Sequence, residues 1–333
     1  MKVRSIVISI FAASVFLASC GPHGGTPGQP LPIIAIANYG AHPILDVIVD
    51  SFKQRMSERG YIDGKNIRFV WKSIDGDVNL APAVAETLVS LHPAEIVSIT
   101  TPVSQAVAKV ARGKVPIVFS GVTDPISAGL VTSWNNSPDS GITGTSDRWP
   151  YADQLDLIKA LIPNVRRVGF PYNPGEANSQ YALTQVLPLA KDRGLDILTA
   201  VATSTDDVRQ AVESLADRGV NCIYVSSDNT VMAGFPAVLK TAEQRHIPVI
   251  VGESANVERG GLATYSVDYR KLGEATADLV IRVLNGEKPG SIPVVTFKGD
   301  QLYLNAEAAR KMGVVFPPSL LAKAAKIYGT SQQ

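Results

Sequence analysis

From Ile33 onward the chain alternates short, nearly continuous apolar runs with amphipathic stretches, and it completes the series twice. Runs at 33–37, 67–71, 95–99, 116–119 and 141–145 read as strands, separated by helices near 43–59, 80–91 and 102–111. The series restarts with strands near 167–171, 196–201, 221–225, 248–251 and 262–265, between helices near 176–193, 205–218 and 230–245. A βαβα succession whose strands are apolar along their whole length calls for parallel sheets with helices on both faces.

The halves also resemble each other in detail. Ser57-Glu58-Arg59-Gly60-Tyr61 ends the first helix of one, and Lys191-Asp192-Arg193-Gly194-Leu195 ends the first helix of the other. In each, Arg falls in the last turn and Gly just past it, the expected C-terminal stop. Val115-Pro116-Ile117-Val118 is likewise matched by Ile247-Pro248-Val249-Ile250. About 300 residues also exceed one ordinary core. The expectation is two similar α/β lobes. The remaining elements (a helix at 269–285, strands at 294–297 and 302–304, a helix at 306–312) are too few for a third core. They are expected to complete the first two, so that the chain crosses between lobes several times and forms a hinge.

The beginning of the chain reads differently. Lys2 and Arg4 precede an uncharged apolar run from Ser5 to Leu17, shorter than the roughly 20 residues of a membrane span and suited to an export signal. Leu17-Ala18-Ser19-Cys20 closes it in the pattern of a lipidation site, with Cys20 as the acceptor. The Gly- and Pro-rich stretch that follows has no apolar period and reads as a tether. The expected division is 1–20 lipoprotein signal peptide, 21–31 flexible tether, 32–146 plus about 270–299 as the N-terminal lobe, and 147–269 plus about 300–328 as the C-terminal lobe. The chain is then exported and lipid-anchored on the periplasmic side of a bacterial membrane. Cys222, the other cysteine, sits in an apolar run and reads as a buried thiol. Without Lys2 and Arg4 the 31 basic residues become 29, against 30 acidic ones, and so balanced a charge argues against nucleic acid as a partner.

In open parallel sheets, ligands bind beyond the carboxyl ends of the strands. Those positions hold Tyr39, His42 and Pro43; Thr100 and Thr101, with Gln105 one turn further on; Thr123 and Asp124; Asn173, Glu176, Asn178 and Ser179; Tyr224, Asp228 and Asn229; Glu253; and Asp268. Most are hydroxyls, amides and carboxylates at the openings of helices, where free N–H groups and partial positive charge hold an anion without Lys or Arg. A small zwitterion fits such a site, its anion at Thr100-Thr101 and Asn178-Ser179 and its cation at Asp228 or Asp268. Each residue also has a plainer use: Thr100, Thr101, Ser179 and Asp228 as helix caps, Asp124-Pro125 as a turn, the tyrosines as packing. Four scattered histidines show no metal-ligand spacing, and no phosphate loop, nucleophile elbow or paired nucleophile and base is visible. No catalytic residue, metal or cofactor is therefore expected.

The segments His42-Pro43-Ile44-Leu45-Asp46, Thr123-Asp124-Pro125, Asp228-Asn229-Thr230 and Val267-Asp268-Tyr269, and above all Tyr172-Asn173-Pro174-Gly175-Glu176-Ala177-Asn178-Ser179, carry a resemblance. From about Pro32 to Leu320 the chain resembles the ABC-transporter substrate-binding family that includes tryptophan- and tyrosine-binding lipoproteins. The resemblance implies the type I periplasmic-binding-protein fold, two Rossmann-like lobes joined by three crossovers. It also implies an aromatic amino acid or related small molecule as ligand, and an ABC permease and its ATPase as partners; a monomer is expected. A sensory receptor that presents its ligand, or a diverged enzyme, would use the same fold. Ser146-Asp147-Arg148-Trp149-Pro150 and Glu253-Ser254-Ala255 depart from the family's usual pattern.

Overall fold

The computed structural model describes residues 30–330 apart from 136 and 139. The expected signal, Cys20 and most of the expected tether lie outside them. Among the described residues no helix is long and apolar enough to cross a membrane.

The first series comprises β1 (Ile33–Asn38), α1 (Pro43–Glu58), β2 (Arg68–Ser73), α2 (Ala81–Ser90), β3 (Glu95–Ile99), α3 (Thr101–Ala111), β4 (Ile117–Ser120) and β5 (Ile142–Ser146). The second comprises α4 (Tyr151–Leu161), β6 (Arg167–Tyr172), α5 (Ala177–Asp192), β7 (Asp196–Val201), α6 (Val208–Asp217), β8 (Cys222–Val225), α7 (Asn229–Ala233), α8 (Phe235–Arg245), β9 (Val249–Val251), α9 (Ser254–Glu258) and β10 (Ala263–Ser266). The chain closes with α10 (Tyr269–Leu284), β11 (Val295–Thr296), β12 (Gln301–Asn305), α11 (Ala306–Met312), α12 (Pro318–Leu321) and β13 (Ala324–Tyr328).

Two sheets result. One has the order β11-β5-β4-β3-β1-β2, and the other β13-β12-β10-β9-β8-β6-β7. The first is parallel throughout; in the second, β12 runs antiparallel to β10. Central strands such as β3 and β8 are buried along their length, as a sheet covered on both faces requires. Helix α10 follows β10 of the second sheet but packs on the first. Gly273 permits this, because a Cβ there would lie 2.4 Å from the Ile48 carbonyl oxygen on α1. Hydroxyls of Ser120 and Thr145 meet Thr276 of α10 at 2.9 and 3.0 Å and fix it beneath β4 and β5. The chain passes between sheets after Ser146, after Ser266 and after Thr296.

The structure departs from the sequence reading at several elements. Helix α4 was not anticipated, nor were α9, α12 and β13. The helix expected over 230–245 breaks at Gly234 into α7 and α8. There the backbone runs against Val208, whose Cγ2 would stand 2.7 Å from a Cβ. Cys222 is a buried free thiol, with its pKa pushed by burial up to about 12.

Candidate functional site

The carboxyl ends of β1, β3, β4 and β5 face those of β8 and β9 across a cavity of about 320 Å³. That size is at the lower end for small-molecule pockets. Its walls combine aromatic rings (Tyr39, Trp149, Tyr269), aliphatic side chains (Ile44, Leu45, Ile48, Met232) and polar groups from both lobes. Among the described residues, no Lys or Arg lines it.

On the first lobe, His42 caps α1, its Nδ1 accepting a long 3.4 Å bond from the Ile44 amide. Its Nε2 lies 3.1 Å from Glu253 Oε1 on the second lobe, within ion-pair distance though not aligned as a hydrogen bond. Burial disfavours the imidazolium, but the charge of Glu253 and its proximity outweigh this and raise the His42 pKa. Thr100 precedes α3 with φ of 79°, in a region that costs a non-glycine residue free energy. Its hydroxyl makes no capping bond and is buried without a partner.

On the second lobe, Asn178 and Asn229 reach the cavity from a braced framework. The Glu176 carboxylate accepts from the Thr230 amide at 2.9 Å, the Thr230 hydroxyl at 2.7 Å, Asn229 Nδ2 at 2.6 Å and Asn178 Nδ2 at 3.0 Å. Asp228 accepts from the Asn173 amide at 2.6 Å, the Ser179 hydroxyl at 2.5 Å and the Val231 amide at 2.8 Å. Burial and the Glu176 charge push Asp228 above the usual carboxylate range. Asn178 Nδ2 also donates to the Ser227 carbonyl, which leaves Asn178 Oδ1 buried and unpartnered.

Eight of the expected residues therefore line the cavity: Tyr39, His42, Thr100, Thr101, Thr123, Asn178, Asn229 and Glu253. The others stand elsewhere. Asn173, Glu176, Ser179 and Asp228 form the brace behind it. Pro43 occupies the first turn of α1. Gln105 donates to the Ala128 carbonyl at 3.0 Å, and Asp124 accepts from the Ser127 amide at 2.7 Å. Tyr224 is buried with its hydroxyl on Gln154. Asp268 is spent as the cap of α10, accepting from the Arg270 and Lys271 amides at 3.1 and 3.2 Å. Neither carboxylate expected above to hold a cation lines the cavity: the Asp228 oxygens are engaged behind it, and Asp268 caps α10.

Asp147, Trp149, Ser227 and Tyr269 also line the cavity, though none is among the site residues expected above. The rule that pointed to the other loops was available for Asp147, which directly follows β5. Trp149 lies against Gly252, where a Cβ would fall 1.3 Å from its ring. Arg148 turns away and stacks over Trp134 at 5.5 Å.

A family model described as ABC transporter substrate binding protein matches residues 33–328. A tyrosine-binding protein of Clostridioides difficile is 31% identical over 93% of this chain and 92% of its own length. An ABC domain from Streptococcus pneumonia, solved in complex with L-Trp, is 31% identical with a TM-score of 0.86, covering 90% of this chain and all of that one. The ligand-free, open structure of a substrate binding protein with adhesive properties from Clostridium difficile is 28% identical with the same coverage, but its TM-score is 0.65.

Proposed function

Because the chain belongs to the ABC transporter substrate-binding protein family, we propose that it captures a small zwitterion, an aromatic amino acid, between its two lobes and delivers it unchanged to an ABC permease driven by its ATPase. The observation that carries this reading is the cavity itself. It lies between two lobes, has aromatic walls, and is lined by residues with buried polar atoms that no protein group satisfies. Buried polar atoms are ordinarily paired, so unpaired ones around a cavity point to a polar ligand. The tyrosine- and L-Trp-binding relatives support an aromatic side chain. The higher likeness to the L-Trp complex than to the open structure, at similar identity, supports a closed arrangement of the lobes.

Substrate-binding proteins of this kind work outside the cytoplasm. The proposal adds that residues 1–20 direct export, that lipid on Cys20 holds the protein at the membrane through the tether, and that it acts as a monomer without turnover. It divides the folded part into 32–146 with about 270–299 and 147–269 with about 300–328. The test is a calorimetric screen of the folded chain against the twenty amino acids and small aromatic acids. Saturable, one-to-one binding of L-Trp, L-Tyr or L-Phe with no chemical change in the recovered ligand is expected. Binding of a sugar or nucleoside in their place would overturn the reading.

A further inference from the structure

We propose that Asp147 receives the ligand's ammonium group, and that Trp149 and Tyr269 are positioning residues that aim its carboxylate. The inference rests on the amino-acid reading above and assigns one half of its chemistry to a residue. Asp147 is buried and lines the cavity. One carboxylate oxygen, Oδ2, accepts from Trp149 Nε1 and from the Tyr269 hydroxyl, both at 3.1 Å. The other, Oδ1, is buried with no partner. An unpaired buried carboxylate oxygen is costly, and among the described residues lining the cavity there is no Lys or Arg to repay it, while His42 faces Glu253.

The other carboxylates of the lining do not fit this role. Glu253 already faces the His42 imidazole, and Asp75 is exposed at the rim. Asn178 Oδ1 is a second buried acceptor for the same ammonium. The unpartnered Thr100 hydroxyl, at the start of the eleven-residue helix α3, offers a donor for the ligand's carboxylate. Burial pushes the Asp147 pKa up against the pull of Trp149, Tyr269 and its own backbone amide, and an ammonium alongside would draw it back.

The three residues also tie this contact to the hinge. Asp147 and Trp149 sit on the passage from β5 to α4, and Tyr269 begins α10 just after the return passage. The carboxylate is thus held by groups from both connections, and Gly252 of the second lobe fixes the Trp149 ring.

The test compares each amino acid with its deaminated analogue: L-Trp with indole-3-propionate, and L-Tyr with 3-(4-hydroxyphenyl)propionate. In Asp147→Asn, affinity for the amino acid should fall about 10- to 150-fold, the range for a charge-assisted hydrogen bond, while affinity for the analogue holds. Tyr269→Phe should narrow the same amino-to-analogue ratio by less. This variant carries the test if Asp147→Asn does not fold. An unchanged ratio in a folded variant overturns the inference. So does a wild-type protein that binds the analogue as tightly as the amino acid, which leaves the aromatic-ligand reading standing. A wild-type protein that binds neither overturns both.

Discussion

Gly252→Ala probes the packing that holds the site together. The new Cβ would stand 1.3, 2.0 and 2.2 Å from three atoms of the Trp149 ring, where ordinary contact begins at 3.4 Å. The ring would have to retreat by about 2 Å. Trp149 is buried, and its Nε1 reaches Asp147 Oδ2 at only 3.1 Å, so the movement forfeits that bond. Overpacking of this kind costs about 1–3 kcal/mol, and the lost hydrogen bond adds about 1 kcal/mol. Urea denaturation followed by circular dichroism should therefore show a loss of about 2–4 kcal/mol. The loss should fall to within about 0.5 kcal/mol of zero in a Trp149→Ala background, because the two positions are coupled only through the ring. Equal losses in both backgrounds would show that the collision with Trp149 is not the cause and refute the reasoning.

Glu95 opens β3 at the end away from the cavity, and both its carboxylate oxygens are buried without partners. Burial alone raises its pKa well above the ordinary value. With the folded pKa above the unfolded one, stability is highest below about pH 4.5 and declines above it by up to about 1.4 kcal/mol per pH unit until the folded value is reached. Glu95→Leu should remove that slope in denaturation curves taken from pH 4 to 7 and stabilise the protein at neutrality by about 1–3 kcal/mol; a parallel slope would place the charge elsewhere. The raised His42 pKa favours closure below the ordinary histidine value and loses that contribution as pH rises through the raised one, so ligand affinity should decline toward alkaline pH. In Glu253→Gln the alkaline decline should flatten, as read by calorimetry from below the ordinary histidine value of about 6.5 up into the alkaline range. Asp268→Ala should leave the dissociation constant unchanged, because its carboxylate caps α10; the unfolding free energy should instead drop by the value of a helix cap, about 0.5–2 kcal/mol, as read by urea denaturation.

The α/β class and the duplicated series were legible from local pattern alone. Helix and strand periods are written in neighbouring residues, and Gly or Pro marks where they stop. Placing the site at strand ends was legible for the same reason, and it led to Thr100, Asn178 and Glu253 at the cavity. Helix α4 was missed because it lies just past the unusual Arg148-Trp149-Pro150 passage, with Pro150 in place of a polar cap.

What the sequence by itself determined is the architecture and the edge at which a ligand would sit. Only the tertiary structure decided which carboxylate beside the cavity keeps an unpaired oxygen. Asp147 and Asp268 both follow strands, and nothing in their neighbours ranks them. Asp268 stands directly before α10, so its side chain folds back onto two free amides of the first turn. Asp147 stands four residues before α4, out of reach of such amides, and turns instead to a Trp two residues on and a Tyr 122 residues away. That distant partner is brought close only when α10 docks on the first sheet, and one buried oxygen is left unpaired on a residue that lines the cavity.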